Sequence, residues 1–523
     1  MHEAKPLRLM RMRTFAPVGM TLLFVVLGGC VLPLVSCSQA PNPNTLVMII
    51  ESSPTNLDPR VGIDGQSERI DELLFDALLT RDEHFNVQPG LAERWENPDP
   101  LTYVFHLHGG VLFHDGQPLT SRDVKWTFDS LLQGKIRSPK SGAYRFVDHV
   151  DAPDDSTVVF NLKEPYASLL WNLSEGAIGI VPYGSLDEVT REPVGSGPFK
   201  FVSGEQDKEI VIERNDQYWG AKPRLERVRF VVVPDATTRA LELRKGSADL
   251  AINALTPDTV MALKGEPHLQ IERGPGTIVS YLAFNTRDPL LRDVRVRQAI
   301  ACAIDRAPLV KYIWRDLAEP ASNVLPAQSW AYDHDATAFL HDPERARQIL
   351  DAAGYPAKDG IRFHLTMKTS TEESTRLLAA VLQQQLRDVG IALDIRTFEF
   401  ATFFADVTRG AFQLYSLRWI GGNEDPDIFE NFASDRFPPR GNNRGFYSNP
   451  QVDSLIERAR RETDQSVRVR LYGEVQQILA NEVPAINLWY LDNVLVHTRR
   501  VRQVALNPSG NYDFLKTAEI VSQ

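Results

Sequence analysis

The feature that most constrains the fold of this chain is an alternation of apolar strand patterns and amphipathic helix patterns in its second half. Residues 227–253 read as strand, helix, strand, because Asp235 follows Pro234 as a helix N-cap and Gly246 supplies the stop. Further helix and strand patterns alternate beyond them, including a helix that ends at Gly390. This alternation predicts an α/β protein with a mostly parallel sheet covered by helices.

A different pattern precedes this region. Between about residues 84 and 195, short runs of alternating apolar and polar residues are separated by turn signals, which predicts a small β-rich domain. The chain of 523 residues is longer than one ordinary hydrophobic core supports, so two or three domains are expected. The segment "GSGPF" at 195–199 reads as a turn that redirects the chain between them.

The composition is that of a soluble globular protein and argues against nucleic acid as a partner. Hydrophobic residues make up 43% and charged residues 24% of the chain, and the mean hydropathy is −0.24. The formal net charge is −11, and no basic patch in the body of the chain reverses it. Binding to a phosphate backbone requires a basic face, so we expect no nucleic-acid partner.

The first 37 residues differ from everything that follows. Basic side chains precede an apolar run that is too short to span a bilayer comfortably. The run ends in "LVSC", which resembles a bacterial lipobox and identifies Cys37 as the residue that carries lipid after cleavage. "LGGC", which ends at Cys30, is a competing lipidation site, and a plain secretory signal or an N-terminal anchor helix are further alternatives. Each interpretation exports the chain.

The body beyond this segment contains a single cysteine, Cys302, so it has no internal disulfide. Cys302 sits in an apolar helix pattern and is expected to be a small buried residue. A nucleophilic role would require a neighbouring base, and the local sequence supplies none.

Three histidines invite a metal interpretation that their spacing does not support. His106 and His108 fall on one face of a strand pattern, and His114 follows. No further ligand stands at a convincing zinc spacing, so surface histidines are the favoured interpretation and no metal or cofactor is expected. The chain also lacks a P-loop, a dinucleotide fingerprint and a serine-nucleophile elbow, and we expect no enzymatic activity.

The stretch "RWIGGNEDPD" at 418–427 is the strongest candidate for a binding site. Trp419 is predicted to end a strand, and ligands of open α/β sheets bind outside the carboxyl ends of strands. Glycines there allow close approach of backbone, and an aromatic ring offers a stacking wall. The alternative is that Trp419 packs into an interdomain core. Asp425, before Pro426, is either a ligand-binding acid or a turn former.

Seven segments, in order along the chain, carry a resemblance to a known family. The chain resembles the family 5 extracellular solute-binding proteins of ABC importers, the group that binds dipeptides, oligopeptides and nickel. The matching segments are "LDPR", "GLAERWENPDPLTYVFHLHGGVLFHDGQPLTSRDVKWTF", "GSGPFKF", "ERNDQYWGAKPRLERVRFVVVPDATTRALELRKGSADLAI", "YLAFNTRDPLLRDVRVRQAIACAIDR", "DPERARQILDAAGY" and "PAINLWY".

The resemblance implies an α/β, bilobed periplasmic-binding-protein fold (type II, large variant) with an additional β-rich domain. The ligand then lies between two lobes that close about a hinge, and contacts made only in the closed form stabilise closure. The implied parts are a lipoprotein signal peptide at 1–37, a discontinuous first lobe at 38–83, 196–280 and 491–523, a β-rich insertion at 84–195 and a second lobe at 281–490.

One departure from the family pattern concerns the recognition of an amine. Peptide-binding members carry, after the tryptophan, an Asp that pairs with the α-ammonium of the peptide, and here Gly422 stands at that position. Glu424 or Asp425 could replace that carboxylate, or neutral acceptors such as Asn423 could hold the amine. Alternatively, the ligand lacks a free α-amine.

The family position of each segment gives a set of candidate ligand-binding residues. Arg418 is a candidate partner for a ligand carboxylate, although an Arg at a strand end is also commonly an ion-pair residue. The full set is Ser53, Asn56, Tyr281, Asn285, Arg418, Trp419, Gly421, Gly422, Asn423, Asp425, Trp489 and Tyr490.

The function implied is that of an exported lipoprotein, periplasmic or on the cell surface, that delivers a peptide or peptide-like solute to an ABC permease. It would be monomeric and held at the membrane through its lipid alone. Two alternatives stay open: the same fold binding a nickel chelate, haem, an opine or an oligosaccharide, and an extracytoplasmic hydrolase or chaperone.

Overall fold

The computed structural model describes residues 44–521, except 175, 177, 337–338 and 421–423. The strands in this part of the chain are β1 Thr45–Ile50, β2 Leu79–Arg81, β3 Val87–Pro89, β4 Ala92–Asp99, β5 Thr102–Leu107, β6 Val147–Asp154, β7 Thr157–Leu162, β8 Phe199–Glu205, β9 Glu209–Arg214, β10 Arg227–Val232, β11 Leu250–Ile252, β12 Leu269–Gly274, β13 Val279–Phe284, β14 Ala318–Pro320, β15 Phe363–Ser370, β16 Ile391–Phe398, β17 Leu414–Trp419, β18 Ala485–Leu491, β19 Asn493–Thr498, β20 Val501–Arg502 and β21 Glu519–Ile520.

The α-helices of the same residues are α1 Gly65–Leu74, α2 Ser121–Leu132, α3 Leu169–Asn172, α4 Ala236–Lys245, α5 Pro257–Leu263, α6 Val294–Ala303, α7 Arg306–Ile313, α8 Pro343–Ala352, α9 Glu373–Arg387, α10 Phe400–Thr408, α11 Pro450–Arg461, α12 Gln465–Glu482 and α13 Phe514–Thr517. Short 3-10 helices lie at Pro139–Tyr144, Asp187–Thr190 and Pro426–Phe432. None of the helices described here is long and apolar enough to cross a membrane.

Helix α4 begins and ends where the sequence predicts. The side chain of Asp235 accepts a hydrogen bond from the backbone N–H of Thr238 at 2.8 Å, as an N-cap does. Gly246 closes the helix in the left-handed region, with φ of 75°. The predicted strand–helix–strand unit is therefore confirmed as β10, α4 and β11.

The prediction of a mostly parallel sheet is wrong, because both large sheets are mixed. The seven-stranded sheet has the order β12-β19-β11-β1-β10-β9-β8. In this sheet the pairs β1–β10 and β1–β11 are parallel, and the other adjacent pairs are antiparallel. The hairpin β9–β10 and the distant strand β19 supply the antiparallel pairs. Local strand–helix alternation carries no information about strands that enter a sheet from elsewhere in the chain.

The six-stranded sheet has the order β14-β18-β13-β17-β15-β16. Strands β16, β15 and β17 run parallel to one another, so their carboxyl ends lie at one edge of this sheet. The remaining pairs are antiparallel. Helices α6 to α9 cover one face and form a hydrophobic core with it, and α10 packs on the other face. Buried Cys302 of α6 belongs to this core, as predicted, and burial raises the pKa of its thiol.

The predicted β-rich region contains a four-stranded antiparallel sheet in the order β4-β5-β7-β6. Helices α2 and α3 pack on this sheet and share a separate hydrophobic core with it. The two large sheets and this small one thus each organise a core of their own, consistent with a bilobed fold and an additional β-rich part. The exact domain limits given above remain a prediction.

Two short connections join the two large sheets. Residues 275–278 link β12 of the seven-stranded sheet to β13 of the six-stranded sheet, and Asp492 alone separates β18 from β19. The two connections touch, since a Cβ atom built on Gly276 would lie 2.2 Å from the backbone oxygen of Leu491. Only a residue without a side chain fits at this crossing.

Candidate functional site

The rim cavity lies at the carboxyl edge of the parallel strands of the six-stranded sheet and has a volume of about 1100 Å³, including its open mouth. Trp419 is the last residue of β17, which confirms its predicted position at a strand end. The cavity is lined by Ser280, Tyr281, Ser370, Glu372, Ser374, Thr375, Leu378, Phe400, Phe404, Ser416, Leu417, Arg418, Trp419, Ile420, Arg444 and Trp489.

The wall of the rim cavity is aromatic. The rings of Tyr281 and Trp419 stack with their centroids 5.3 Å apart and their planes 16° from parallel. Phe400 and Phe404 form a second stacked pair at 5.9 Å, and both are exposed. Tyr281 is only 3% exposed, so the accessible rings are those of Trp419, Phe400 and Phe404. Flat rings at a cavity wall suit the faces of planar ligand groups, peptide bonds included.

The two arginines of the rim cavity differ in their partners. Arg418, predicted as a carboxylate partner, already pairs with Glu372 at 2.5 Å and donates to the Ser374 hydroxyl at 3.1 Å. Burial raises the pKa of Glu372, but the Ser374 hydrogen bond and the Arg418 charge outweigh it and leave that pKa below its usual value. Arg444 has no ion pair with any described residue and lies over the Phe404 ring, 5.1 Å from its centroid.

Two buried polar atoms in the wall of the rim cavity have no hydrogen-bond partner among the described residues. They are the hydroxyl of Ser280 and the indole N–H of Trp489. The two residues are neighbours across strands β13 and β18. Buried polar groups are nearly always paired in native proteins, so unpaired ones in a cavity wall point to a ligand or to water.

Five of the predicted ligand-binding residues that the structure describes do not line the rim cavity; the first four are Ser53, Asn56, Asn285 and Tyr490. The Ser53 hydroxyl accepts a hydrogen bond from the N–H of Asp207, and the Asn56 side chain accepts one from Asp58 within its own loop. Asn285 donates to the backbone oxygens of Gly410 and Phe412. The hydroxyl of Tyr490 donates into the 323–325 turn. Each of these polar groups has a local structural partner.

The loop after Trp419 is described only in part. Gly421, Gly422 and Asn423 lie outside the described residues, so the prediction about the missing carboxylate stays a prediction. Glu424 is buried, pairs with Arg81 at 3.2 Å and accepts from the Thr277 hydroxyl at 3.1 Å. Burial raises the pKa of Glu424, and Arg81 partly opposes the shift. These contacts tie Glu424 to the junction of the lobes.

Asp425 belongs to a second cavity rather than to the rim cavity. The aromatic cavity, as we call it, has a volume of about 1130 Å³ and lies between the β-rich part and helix α12. Its rings and its buried Arg468 were not predicted from the sequence. It is lined by Phe85, Asn86, Val87, Trp95, Asn97, Tyr103, Ala167, Leu170, Trp171, Trp330, Asp425, Thr463, Asp464, Gln465 and Arg468.

Ser168 links the charged groups of the aromatic cavity. Its hydroxyl donates to Asp425 at 3.2 Å and accepts from the guanidinium of Arg468 at 3.3 Å. Burial and the neighbouring Asp427 raise the pKa of Asp425 to about 7, while Arg468 opposes the shift. Asp425 also caps the 3-10 helix that follows it, so its turn-forming role is confirmed and its ligand-binding role is untested.

The three histidines do not come together. His106 lies 3.3 Å from Glu96, and the His108 ring packs against Trp219. His114 accepts from the N–H of Gly195 and contacts the oxygen of Gly197, and burial lowers its pKa to about 4. Among the residues that the structure describes, no group of three or more His, Cys, Asp or Glu side chains is placed to hold a metal ion.

The molecule has two lobes joined by short crossing segments, and the rim cavity lies at the edge of one of them. This arrangement defines a solute-binding protein of the periplasmic type. The chain belongs to the bacterial extracellular solute-binding proteins, family 5, whose model (family 5 Middle) matches residues 86–436. Proteins of this family are extracytoplasmic and bind solutes rather than transform them.

Similarity to characterised relatives extends over nearly the whole chain. The dipeptide-binding protein of Escherichia coli strain K12 is 27% identical over 93% of this chain and 96% of its own length. Heme-binding protein A of Haemophilus influenzae is also 27% identical, over 91% of this chain and 92% of that protein. A solved periplasmic binding protein, DppA from Helicobacter pylori in complex with the peptide STSA, has 27% identity and a TM-score of 0.72, and the match covers 91% of this chain and 98% of that one.

Proposed function

We propose that this protein captures a peptide or peptide-like solute in the rim cavity and delivers it to an ABC permease. The observation that carries the proposal is the combination, in one cavity, of a stacked aromatic wall and an arginine without an ion pair among the described residues. A peptide offers planar amide groups to the rings and a carboxylate to the cation. Several relatives are peptide-binding proteins by name, which supports the same class of solute.

Of the two arginines, Arg444 is better suited to bind the carboxylate of the solute. Arg418 is better suited to a positioning role. The charge of Arg418 is already met by Glu372, so a ligand carboxylate would have to displace that acid. Arg444 has no ion pair with a described residue that a ligand carboxylate would have to displace. Its guanidinium can hold a carboxylate through two parallel hydrogen bonds. Tyr281, Trp419 and Trp489 would supply the walls between which the solute lies.

Closure about the two short connections would complete the site. Because residues 275–278 and 492 are so few, the lobes can rotate about the crossing but cannot slide far apart. A solute that touches both lobes stabilises the closed state by the contacts that exist only there. The hinge would then lie at this crossing, in residues 275–278 and at Asp492.

We further propose that the protein is exported and held at the membrane by lipid on Cys37, with Cys30 as the alternative, and that it acts as a monomer. Mass spectrometry of the membrane-extracted protein tests this anchor. A diacylglyceryl cysteine at the new N-terminus is the expected result, and a Cys37→Ser variant would then be released in soluble form. Cleavage without any lipid would contradict the anchor and leave the binding function untouched.

The solute class is tested by thermal unfolding with a panel of compounds. The panel contains di- and tripeptides, N-acetylated peptides, oligosaccharides, opines, nickel chelates and haem, the last because of the similar heme-binding protein. A solute present at a hundred times its Kd stabilises the folded protein by about 2.7 kcal/mol, which gives a clear rise in Tm. Peptides are expected to raise Tm. A rise with haem or a chelate alone would contradict the peptide proposal, and turnover of a peptide would favour a hydrolase.

A further inference from the structure

The described wall of the rim cavity carries a net positive charge. Of the described residues that line the cavity, those charged at neutral pH are Arg418, Arg444 and Glu372. The charges of Arg418 and Glu372 offset each other, because the guanidinium lies 2.5 Å from the carboxylate. The guanidinium of Arg444 donates a hydrogen bond to the amide oxygen of Asn442 at 2.8 Å, and this partner is neutral. One positive charge is therefore left over.

The loop after Trp419 adds no carboxylate to this wall. Residues 421–423 are Gly, Gly and Asn, so they carry no ionisable side chain. The two acids that follow, Glu424 and Asp425, are not among the residues that line the rim cavity. Glu424 pairs with Arg81, and Asp425 lines the aromatic cavity. An ammonium group in the rim cavity would therefore meet no described carboxylate that is still unpaired.

The buried polar groups of the same wall also ask for an acceptor. Ser280 and Trp489 are 2% and 3% exposed, and neither the hydroxyl nor the indole N–H has a hydrogen-bond partner among the described residues. An indole N–H can only donate, so an ammonium cannot pair with it. A carbonyl oxygen has two lone pairs and can accept from both groups, which are neighbours across β13 and β18.

We propose that the solute of the rim cavity is an anionic, peptide-like compound whose amino terminus is acylated. The inference deepens the proposed function and rests on it. The carboxylate of the solute pairs with Arg444, and its acyl oxygen accepts from Ser280 and Trp489. The cavity, about 1100 Å³ with its open mouth, has room for a short peptide of this kind.

Acylation changes the electrostatic cost of binding. A free amine would bring a second positive charge into a cavity that already holds an uncompensated guanidinium, and it would lose its water without gaining an acid. An acyl group removes that charge and supplies a carbonyl oxygen in its place. A solute without an ammonium also needs no carboxylate at residue 422, where this chain has glycine. The wall thus discriminates against free amines by repulsion as well as by unmatched donors.

Isothermal titration calorimetry with four forms of tri-alanine tests the inference on the wild-type protein. The forms combine a free or acetylated amino terminus with a free or amidated carboxyl terminus. The form that is acetylated and keeps its carboxylate is expected to bind at least about tenfold more tightly than tri-alanine with both ends free. The form with a free amine and an amidated carboxyl terminus is a cation and is expected to bind most weakly of the four.

Two tryptophans provide a variant and its matched control. Trp489→Phe keeps a ring in the wall but removes the indole N–H, and should reduce the preference for the acetylated peptide to less than about threefold. The indole N–H of Trp314 is also buried without a partner among the described residues, but Trp314 does not line the rim cavity. Trp314→Phe should therefore keep the full preference. Ser280→Ala removes the second donor and repeats the test if Trp489→Phe does not fold.

The outcomes separate this inference from the proposed function. If the wild-type protein binds tri-alanine with free ends as tightly as the acetylated peptide, or more tightly, the acylated class of solute is wrong and peptide binding stands. If the full preference survives in both Trp489→Phe and Ser280→Ala, the assignment of the acyl oxygen to these two donors is wrong. If none of the four forms binds the wild-type protein, the proposed function fails and the inference fails with it.

Discussion

The rim cavity and the aromatic cavity have nearly equal volumes, about 1100 and 1130 Å³, and both have aromatic walls, yet their charged groups are arranged in opposite ways. In the aromatic cavity Arg468 and Asp425 share the hydroxyl of Ser168, so cation and anion offset each other across two parts of the fold. In the rim cavity Arg418 is paired with Glu372, but Arg444 has no such counterpart among the described residues. The paired charges of Arg468 and Asp425 stabilise the contact between two parts of the fold, whereas the charge of Arg444 is available to a solute.

Removal of Arg468 is expected to have the largest effect on the aromatic cavity. Arg468→Met should lower the free energy of unfolding by about 3 to 5 kcal/mol, because buried Asp425 and its half-buried neighbour Asp427 would lose their cation. Urea unfolding measures this loss. Arg444→Met is the matched control, and its half-buried side chain should cost less than about 1 kcal/mol. A loss below 1 kcal/mol for Arg468→Met would show that the aromatic cavity does not hold the parts together.

The pH dependence of stability tests the buried acid of the aromatic cavity, Asp425. Asp425 has a pKa of about 7 in the folded protein and about 3.8 when unfolded, so the folded state holds the proton more tightly. Stability is therefore greatest below pH 4 as far as this group is concerned, and falls by up to about 1.4 kcal/mol per pH unit as the pH rises to 7. Urea titrations between pH 4 and 8 should show a smaller fall for Asp425→Asn. Identical slopes for the two proteins would contradict this assignment.

Trp419 lines the rim cavity and Trp330 lines the aromatic cavity, so the same substitution can be compared in both. Trp419→Ala should weaken peptide binding by about 2 kcal/mol, roughly 30-fold, because the stacking wall on Tyr281 is lost. Trp330→Ala should leave the affinity within about twofold while lowering Tm. Calorimetric titration with one peptide on both variants measures the difference. Equal losses of affinity would remove the distinction between the cavities.

The smallest expected effect separates the two arginines of the rim cavity. Arg444→Gln should weaken binding of a tripeptide about tenfold, and should not change binding of the same peptide with an amidated C-terminus. Arg418→Gln should affect both peptides alike, since its charge faces Glu372. If Arg418→Gln alone distinguishes the acid from the amide, the roles of the two arginines are reversed.

The sequence predicted the positions that depend on local pattern. Trp419 ends a strand because an apolar run stops there before glycines, and α4 has both of its predicted ends. Family position added Tyr281 and Trp489, which also line the rim cavity. The same reasoning also named Asn285 and Tyr490, which do not line the rim cavity. The direction of a side chain depends on hydrogen bonds to distant backbone that no local pattern contains.

Arg444, which lines the rim cavity, was not predicted from the sequence. It lies in an irregular loop, where no periodicity predicts the direction of a side chain.

A crystal structure of the protein with bound tri-alanine would show whether the solute occupies the rim cavity. Peptide density is expected against the rings of Tyr281 and Trp419, with the peptide carboxylate on Arg444. Peptide density between Trp171 and Trp330 in the aromatic cavity, with none in the rim cavity, would show that the solute binds elsewhere.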